Sequence, residues 1–258
     1  MVRDIATAEL DHTAIAAQLL AAFDARQPVA SFAGLDLATA YATTEDIRKL
    51  REMRGERVVG RKIGFTNETI WDEYGVYAPI WGYMYDTSVQ ALDGKPFDLS
   101  PFMEPRIEPE ICFGLARAPQ PDMDDAALLS CIDWVAHGFE IVQSLFPGWR
   151  FTAPDTVASF GLHGALLLGP RQPVSSLTEF EITLESSGGI VEHGSTRLVL
   201  GGPLNALRHI LTVEPPLAAG EMVTTGTLTR AVPVAAGETW KTTLHGTPIK
   251  GIELTFVA

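Results

Sequence analysis

Two glutamates, Glu108 and Glu110, stand two positions apart in the segment EPRIEPEICF (104–113). Apolar residues alternate with charged or polar ones here, which is typical of a half-buried strand and puts both carboxylates on one face. At a separation of about 7 Å their charges repel by roughly 2 kcal/mol at an effective dielectric constant of about 20. We therefore interpret the pair as two ligands of a hard divalent metal. The alternative is a solvated strand face on which Arg106 neutralises one acid.

A third carboxylate is supplied by Glu140, a lone acid flanked by apolar residues in the segment GFEIV (138–142). An inward-pointing charge in such a segment needs a partner. Three carboxylates suit Mg²⁺ or Mn²⁺, because these ions prefer oxygen ligands and keep positions that water or substrate can take. The two cysteines, Cys112 and Cys131, have neither the spacing of a zinc site nor the number needed for a disulfide framework.

Lys62 lies in the segment GRKIGF (60–65), between two glycines that let backbone or ligand approach closely. Near a metal-bound oxo acid, a lysine could bind a carboxylate or shuttle protons with a lowered pKa. The alternative is a snorkelling surface lysine. We expect the adjacent Arg61 to point outward, and we assign Arg61 and Phe65 to substrate binding.

Further candidates come from three short segments. Asp155, in APDTVA, could be an acid/base residue, although Pro-Asp is also an ordinary turn or helix start. Thr225 and Gly226 could offer a hydroxyl and a backbone donor to a substrate carboxylate, the alternative being a turn at a strand end. A lone histidine is more often structural than catalytic, so His163 is kept only as a minor candidate.

The elements that must position these residues divide the chain in two. Residues 8–23 show apolar positions at helical spacing, which predicts an amphipathic helix. Asp36 or Thr43 can cap further helices, the last of them running to Gly55. We therefore predict a helical subdomain over residues 1–57.

Residues 58–258 read as one catalytic domain rich in β-strands. Its predicted elements are strands at 58–65, 104–115, 139–146, 166–169, 180–186 and 198–201, helices at 123–136 (capped by Asp122) and 203–211, and two similar AAGE turns at 218–221 and 235–238.

Composition limits the partners. The 258 residues contain 19 Lys plus Arg against 32 Asp plus Glu, which gives a formal net charge of −13. The sequence shows no basic patch, which argues against nucleic acid and anionic membrane surfaces as partners. No apolar run approaches the length of a membrane span, and the first residues, MVRDIATAELD, lack the apolar core of a signal peptide. We therefore expect a cytoplasmic protein.

Six segments together resemble the 2-keto-4-pentenoate hydratase and 4-oxalocrotonate decarboxylase group of the fumarylacetoacetate hydrolase superfamily. They are GRKIGFTN (60–67), EPRIEPEICFGL (104–115), GFEIVQS (138–144), PDTVA (154–158), GGPLNAL (201–207) and TTGTLTRAVPVAAGE (224–238). The likeness covers nearly the whole chain. Its most specific element is the E-x-E pair that is followed 30 residues later by a strand glutamate.

The resemblance implies an α+β fold, in which a small N-terminal helical region precedes a fumarylacetoacetase-like mixed β-sheet roll with flanking helices. It also implies a homo-oligomer, with association with a related decarboxylase or hydratase as a further option. By the same likeness Glu108, Glu110 and Glu140 fall on the metal-binding acids of the family. Lys62 falls on its active-site lysine and Asp155 on an aspartate that we take to be catalytic.

The activity implied is a metal-dependent hydration, in which a 2-hydroxy-2,4-dienoate, or its 2-oxo-4-enoate form, takes up water and becomes a 4-hydroxy-2-oxo acid. A 4-oxalocrotonate-type decarboxylase ranks second. A fumarylacetoacetase-like C–C hydrolase or an oxo-acid tautomerase ranks third, since neither His12 nor His137 sits in a convincing catalytic context. A non-catalytic descendant that binds a small acid is a different class, and three unpaired acids with Lys62 argue against it.

One departure from the family pattern follows the aspartate, where the chain reads SFGLHG (159–164). Phe160 and Leu162 stand where the hydratases carry polar groups for substrate or water handling. The segment IWGYMY (80–85) is also unusually aromatic and could shape a larger or more apolar pocket. These differences leave the predicted metal site untouched and the exact substrate open.

Overall fold

The computed structural model describes residues 10–213 and 215–258. The helices are α1 His12–Ala25, α2 Leu37–Met53, α3 Trp71–Tyr74, α4 Asp125–Leu129, α5 Ala153–Ala158 and α6 Pro203–Ile210. The strands are β1 Val58–Gly64, β2 Ile80–Tyr85, β3 Val89–Ala91, β4 Phe97–Asp98, β5 Arg106–Leu115, β6 Ile132–Val142, β7 His163–Leu168, β8 Glu181–Ser186, β9 Val191–Ser195, β10 Met222–Thr227, β11 Val232–Pro233, β12 Thr239–His245 and β13 Glu253–Val257. None of the described helices combines the length and the apolar character that a bilayer crossing requires.

Over the described residues the strands form two sheets. Eight strands make a mixed sheet in the order β2-β1-β10-β5-β6-β7-β3, with β11 paired to β5. Five more make a second sheet in the order β4-β13-β12-β8-β9. Within the large sheet β1 is parallel to β10 and β3 is parallel to β7, whereas β5 and β6 form a long antiparallel ladder. The predicted α+β fold with a mixed sheet and flanking helices is confirmed.

Two apolar clusters of the core pack against the large sheet. On one face, Phe113 and Val223 join a cluster with Leu207 and Ile210 of α6. Elsewhere, apolar residues of β6 and β7 pack with the second sheet around the fully buried Trp240. Burying such side chains contributes about 1.5–3 kcal/mol each, so the strands that carry the site residues are held firmly.

Helices α1 and α2 begin at aspartate caps, because the side chains of Asp11 and Asp36 accept hydrogen bonds from the backbone amides of Thr13 and Thr39. Asp36 is thus the cap of the second helix, whereas Thr43 lies inside it. Residues 8 and 9 of the first predicted helix lie outside the described residues.

The two helices share one apolar cluster with residues further along the chain, among them Phe146, Val157 and Phe160. The helical region therefore packs directly on the segment that precedes and forms α5. The division into a subdomain at 1–57 and a domain at 58–258 stays a prediction.

Two predicted elements are wrong. The helix predicted over 123–136 is confined to α4, because residues from Ile132 onward pair with β5 along the full length of β6. The strand predicted over 198–201 is a short 3₁₀ helix, Thr196–Leu198, followed by a turn in which Leu200 and Gly201 have positive φ angles. In the first segment the pairing with β5 overrides local propensity, and in the second the turn that leads into α6 does so.

Candidate metal and substrate site

The three predicted metal ligands converge in the centre of the large sheet. Glu108 on β5 lies directly opposite Glu140 on β6, and Glu110 follows on the same face of β5. Each residue offers one carboxylate oxygen, and these oxygens lie within 4.8 Å of one another. Like charges directly opposite in a ladder are destabilising, so the arrangement needs a compensating positive charge.

Each of the two fully buried glutamates has one oxygen that accepts a hydrogen bond and one that does not, although the second oxygen of Glu140 lies 3.4 Å from the Lys62 ammonium. Glu110 Oε2 accepts a hydrogen bond from the Gly226 amide at 3.0 Å, and Glu140 Oε1 accepts one from His163 Nδ1 at 2.7 Å. The other oxygens, Glu110 Oε1 and Glu140 Oε2, have no hydrogen-bond partner among the described residues. Buried carboxylate oxygens without partners are rare because their desolvation is costly. Such a pair of free oxygens fits a divalent cation.

The pKa shifts of the three glutamates in the metal-free cluster also favour a cation site. Burial raises the pKa of the Glu110 carboxyl well above its usual range, and the charges of Glu140 and Glu108 add to the shift. Burial, opposed by Lys62, raises the pKa of Glu108 to about 7. Burial also acts on Glu140, but the Lys62 ammonium and the His163 hydrogen bond outweigh it and lower the pKa of that carboxyl. Without a metal, the site therefore retains protons at neutral pH.

Lys62 is buried beside this cluster. Its Nζ lies 3.4 Å from Glu140 Oε2 and donates a hydrogen bond to the Gly161 carbonyl at 2.9 Å. A side chain that is only 3% exposed is not a snorkelling surface lysine. Burial lowers the pKa of Lys62, but the three glutamates outweigh it and the net shift is upward. The lowered pKa that we predicted is therefore not found in the metal-free protein.

The carbonyl that receives Lys62 belongs to a left-handed turn. Phe160, Gly161 and Leu162 have φ angles of 59°, 61° and 65°, a conformation that costs a residue with a side chain about 1–2 kcal/mol. The Phe160 ring faces the helical region, 4.6 Å from the ring of Phe23. Leu162, in contrast, lines the pocket next to Lys62. Of the two departures from the family pattern, only Leu162 changes the pocket wall.

A pocket of about 580 Å³, which includes the open space at its mouth, contains Lys62 and Glu108 at its polar end. Its remaining wall is largely apolar and aromatic. The residues that define its character are Phe65, Tyr74, Val142, Trp149, Leu162 and Arg230. Phe65 thus lies where a substrate-binding residue is expected.

Arg61 does not lie where we predicted. Its side chain is 1% exposed and donates hydrogen bonds to the carbonyls of Pro215 and Pro216, with the guanidinium 5.1 Å from the centre of the Trp81 ring. Successive strand residues point to opposite faces, so Arg61 leaves the face that carries Lys62. It neither points outward nor lines the pocket.

Asp155 is also placed away from the pocket. Its carboxylate accepts hydrogen bonds from the Ser31 hydroxyl, the Phe32 amide, and both the amide and the hydroxyl of Thr152. Together with Thr152 it forms a capping box at the start of α5. The helix-start alternative is therefore the correct one, and the structure does not support the predicted catalytic role.

Thr225 and Gly226 form a bulge in β10, since the pairing with β5 shifts between Thr224 and Thr227. Thr225 is fully buried and its carbonyl accepts a hydrogen bond from the Thr66 hydroxyl. The bulge turns the Gly226 amide toward Glu110. Gly226 therefore supports the Glu110 carboxylate and Thr225 is held by Thr66, whereas the pocket wall is formed by the next residue, Thr227.

Sequence reasoning gave one contributor too little weight and missed two others. His163, kept only as a minor candidate, contacts Glu140 directly. Trp149 and Tyr74 line the pocket, but they lie in short irregular segments with no periodic signal.

A scan of protein-family models finds no match to the chain. The 2-keto-4-pentenoate hydratase of Burkholderia vietnamiensis (strain G4 / LMG 22486) is 33% identical over 221 residues, which cover 83% of this chain and 84% of that protein. The 2-hydroxyhexa-2,4-dienoate hydratase of Comamonas testosteroni is 31% identical over 226 residues, which cover 84% of this chain and 85% of the relative. The chain belongs to the 2-keto-4-pentenoate hydratase family.

Solved structures agree with this membership. The 4-oxalocrotonate decarboxylase from Pseudomonas putida G7, complexed with magnesium and adipate, has a TM-score of 0.89 at 25% identity and matches 96% of this chain and 99% of its own. The fumarylpyruvate hydrolase from Pseudomonas aeruginosa, complexed with Mn²⁺ and pyruvate, has a TM-score of 0.60 at 14% identity, with 78% of this chain and 89% of that chain covered. The second likeness concerns the fold alone. The predicted resemblance to the hydratase and decarboxylase group is confirmed.

Proposed function

We propose that this hydratase-family protein is a divalent-metal-dependent hydro-lyase, which adds water to a 2-hydroxy-2,4-dienoate and produces a 4-hydroxy-2-oxo acid. The observation that carries the proposal is the convergence of three glutamate oxygens beside Lys62, in a cluster of which Lys62 and Glu108 line the polar end of one pocket. The hydratase names of the relatives support the same reaction class.

Glu108, Glu110 and Glu140 would hold the metal ion. Mg²⁺ is our first choice and Mn²⁺ the second, because all three ligands are carboxylates and because the two structural neighbours hold these ions. When bound, such an ion supplies a Lewis acid for the carboxylate and the 2-oxygen of the substrate.

The reaction requires proton movements next to these oxygens. Conversion of the dienol to the oxo-enoate removes the proton of the 2-hydroxyl and adds one at C5, after which water adds its hydroxyl at C4 and a proton at C3. Lys62 is the group that can hold a proton here, because its ammonium is buried in the pocket and fixed by the Gly161 carbonyl. We assign it to binding the substrate carboxylate or to transferring one of these protons.

The apolar wall has a separate role. Phe65, Val142 and Leu162 would contact the hydrocarbon part of the diene and limit the entry of bulk water. The polar end would then fix the orientation of the oxo-acid part.

A second candidate is decarboxylation of a dicarboxylic oxo acid. It is favoured by Arg230, a cation in the pocket wall that is half exposed and paired with Glu73, and by the adipate in the decarboxylase neighbour. A second carboxylate on the substrate could exchange with Glu73 at this arginine.

Product analysis with added Mg²⁺ tests the proposal. Purified protein is incubated separately with 2-hydroxypenta-2,4-dienoate and with 4-oxalocrotonate. We expect the hydrated 4-hydroxy-2-oxo acid from the first. Release of CO₂ from the second, without hydration of the first, would replace the proposal by the decarboxylase alternative, and tautomerisation alone would exclude both.

Lys62→Met in the same assay tests the role of the lysine, with the exposed Lys250→Met as the matched control. We expect turnover to fall by about 10²–10⁴-fold in the first variant and to stay unchanged in the second. Turnover at the wild-type rate in Lys62→Met removes the lysine from the mechanism.

We also propose that the protein is a cytoplasmic homo-oligomer, as the family resemblance implies. Sedimentation equilibrium tests the oligomeric state, and a single species at 27.9 kDa would contradict it.

A further inference from the structure

His163 connects one glutamate of the site to a neighbouring turn. It is buried at the start of β7, next to β6 in the sheet. Its Nδ1 lies 2.7 Å from Glu140 Oε1, and its Nε2 lies 2.9 Å from the Ser88 hydroxyl. Both ring nitrogens therefore have a polar partner within hydrogen-bond distance.

The donor and acceptor roles follow from the partners. The contact between His163 Nδ1 and Glu140 Oε1 at 2.7 Å needs one hydrogen between the two atoms. The Glu140 carboxylate can only accept, which places that hydrogen on Nδ1. Nε2 is left to pair with the Ser88 hydroxyl at 2.9 Å. The same hydroxyl also lies 3.1 Å from the Tyr85 carbonyl, to which it can donate, and accepts a hydrogen bond from the Tyr85 amide at 3.1 Å.

The hydrogen bond decides which oxygen of Glu140 remains free. Oε1 is directed toward His163, and Oε2 is left without a hydrogen-bond partner among the described residues, 3.4 Å from Lys62 Nζ. Glu110 shows the same division, with Oε2 held by the Gly226 amide and Oε1 free. One oxygen of each buried glutamate is therefore fixed by a donor from outside the cluster.

We propose that His163 is a positioning residue, which holds Glu140 so that Oε2 alone faces the cation, with the Ser88 hydroxyl holding the other nitrogen of the ring. This inference rests on the proposed metal site.

Without the Nδ1 donor, the Glu140 carboxylate could rotate and engage Lys62 with both oxygens. An ion pair of that kind competes with a metal for the same charge. Outer partners of metal ligands typically change metal affinity 10–100-fold when they are removed. The effect should therefore appear in metal binding itself, before any substrate is present.

Calorimetric titration of the metal-free protein with Mg²⁺ tests the inference. His163→Leu removes the donor while keeping an apolar side chain of similar size, and we expect Mg²⁺ to bind 10–100-fold more weakly. His163→Asn retains an N–H near the position of Nδ1, and we expect it to recover most of the affinity. Ser88→Ala, which leaves the Nδ1 donor in place but removes the partner of Nε2 and the contacts of the hydroxyl with Tyr85, should lie between the wild type and His163→Leu.

His209→Leu, a change at a partly buried histidine of α6, is the matched control and should bind Mg²⁺ as the wild type does. Wild-type Mg²⁺ affinity in His163→Leu overturns the positioning role while leaving the proposed function intact. No Mg²⁺ binding by the wild type itself overturns the proposed function instead. If circular dichroism shows that His163→Leu does not fold, His163→Asn and Ser88→Ala decide instead. A reduced Mg²⁺ affinity in Ser88→Ala, with most of the affinity kept in His163→Asn, supports the inference. Wild-type affinity in Ser88→Ala, together with a loss of affinity in His163→Asn, overturns it.

Discussion

Glu108 and Glu140 lie directly opposite each other in the antiparallel ladder between β5 and β6. Two acids in this position destabilise the sheet, and Glu110, on the same face, adds a third. Lys62 acts on all three glutamates and Arg106 on Glu108, so the cluster has more negative than positive groups. Such a local conflict with stability is expected where a chain binds a ligand.

Metal affinity should rise with pH. Protons on Glu108, with a pKa of about 7, and on Glu110, with a pKa well above the usual range, compete with a cation for the same oxygens. Between pH 6 and pH 8 we expect the affinity for Mg²⁺ to increase by up to about tenfold per pH unit for each proton displaced. Calorimetry in two buffers of different ionisation enthalpy counts the protons released. An affinity and a heat that are independent of pH and buffer would contradict the protonated cluster.

Glu110→Gln should separate metal binding from stability. The substitution keeps the shape of the side chain and removes an acid whose ionised form burial disfavours, so the metal-free protein should be as stable as the wild type or about 1 kcal/mol more stable. The increase in melting temperature that Mg²⁺ gives the wild type should disappear. The exposed Glu253→Gln is the control and should keep this increase. A full Mg²⁺-dependent increase in Glu110→Gln would exclude Glu110 as a ligand.

The sequence was sufficient to predict the convergence of the carboxylates, because alternation along a strand fixes the face of Glu108 and Glu110 whatever the neighbours are. It was not sufficient for Arg61, whose partners, the carbonyls of Pro215 and Pro216, are more than 150 positions away in the chain. The role of His163 likewise depends on the pairing of β6 with β7, which no local pattern specifies.

The dependence on strand pairing also explains why the helix predicted over 123–136 is wrong. Its second half has residues that suit either a helix or a strand, and pairing with β5 decides for the strand. For Asp155, local chemistry alone favoured the helix cap, which is what the structure contains. The family resemblance had led us to a catalytic role that the position does not support.

Asp155→Asn should affect stability more than catalysis. Four donors surround this carboxylate, and an amide can accept from only some of them while bringing donors of its own. We expect the free energy of unfolding to fall by about 2–3 kcal/mol, with kcat/KM within about threefold of wild type at a temperature where the variant is folded. The two quantities are measured by urea unfolding and by the hydration assay. A loss of kcat/KM by a hundredfold or more in the folded variant would restore the catalytic interpretation.

His137 should make the protein less stable in mild acid. It is fully buried between the Glu110 carbonyl and the Thr242 hydroxyl, and burial lowers its pKa to about 4. An unfolded histidine has a pKa of about 6.5 and binds protons more readily, so the contribution is complete above pH 6.5 and is lost as the pH falls toward 4.

The loss amounts to about 3 kcal/mol at most. Urea unfolding of the wild type and of His137→Asn at several pH values measures it, and we expect the difference between the two proteins to shrink by this amount from pH 7 to pH 4. The exposed His193→Asn serves as the control, with a pH dependence like that of the wild type. Parallel curves for wild type and His137→Asn would contradict a neutral buried His137.

Gly226→Ala should disrupt the support of Glu110, and Gly220→Ala offers a matched control. Both glycines have nearly the same backbone conformation, with φ angles of +89° and +88°. A Cβ at Gly226 would lie 2.0 Å from Thr66 Oγ1, whereas a Cβ at Gly220 would meet nothing within 4 Å among the described residues. The strain of the left-handed conformation, about 1 kcal/mol, is therefore common to both variants.

The additional clash at Gly226 should cost about 1–3 kcal/mol more and displace the amide that binds Glu110 Oε2. We therefore expect Gly226→Ala to lose more unfolding free energy than Gly220→Ala, and to bind Mg²⁺ at least tenfold more weakly. Urea unfolding and calorimetry measure the two effects. Equal losses of stability in the two variants, with unchanged Mg²⁺ affinity in both, would show that the bulge in β10 does not position Glu110.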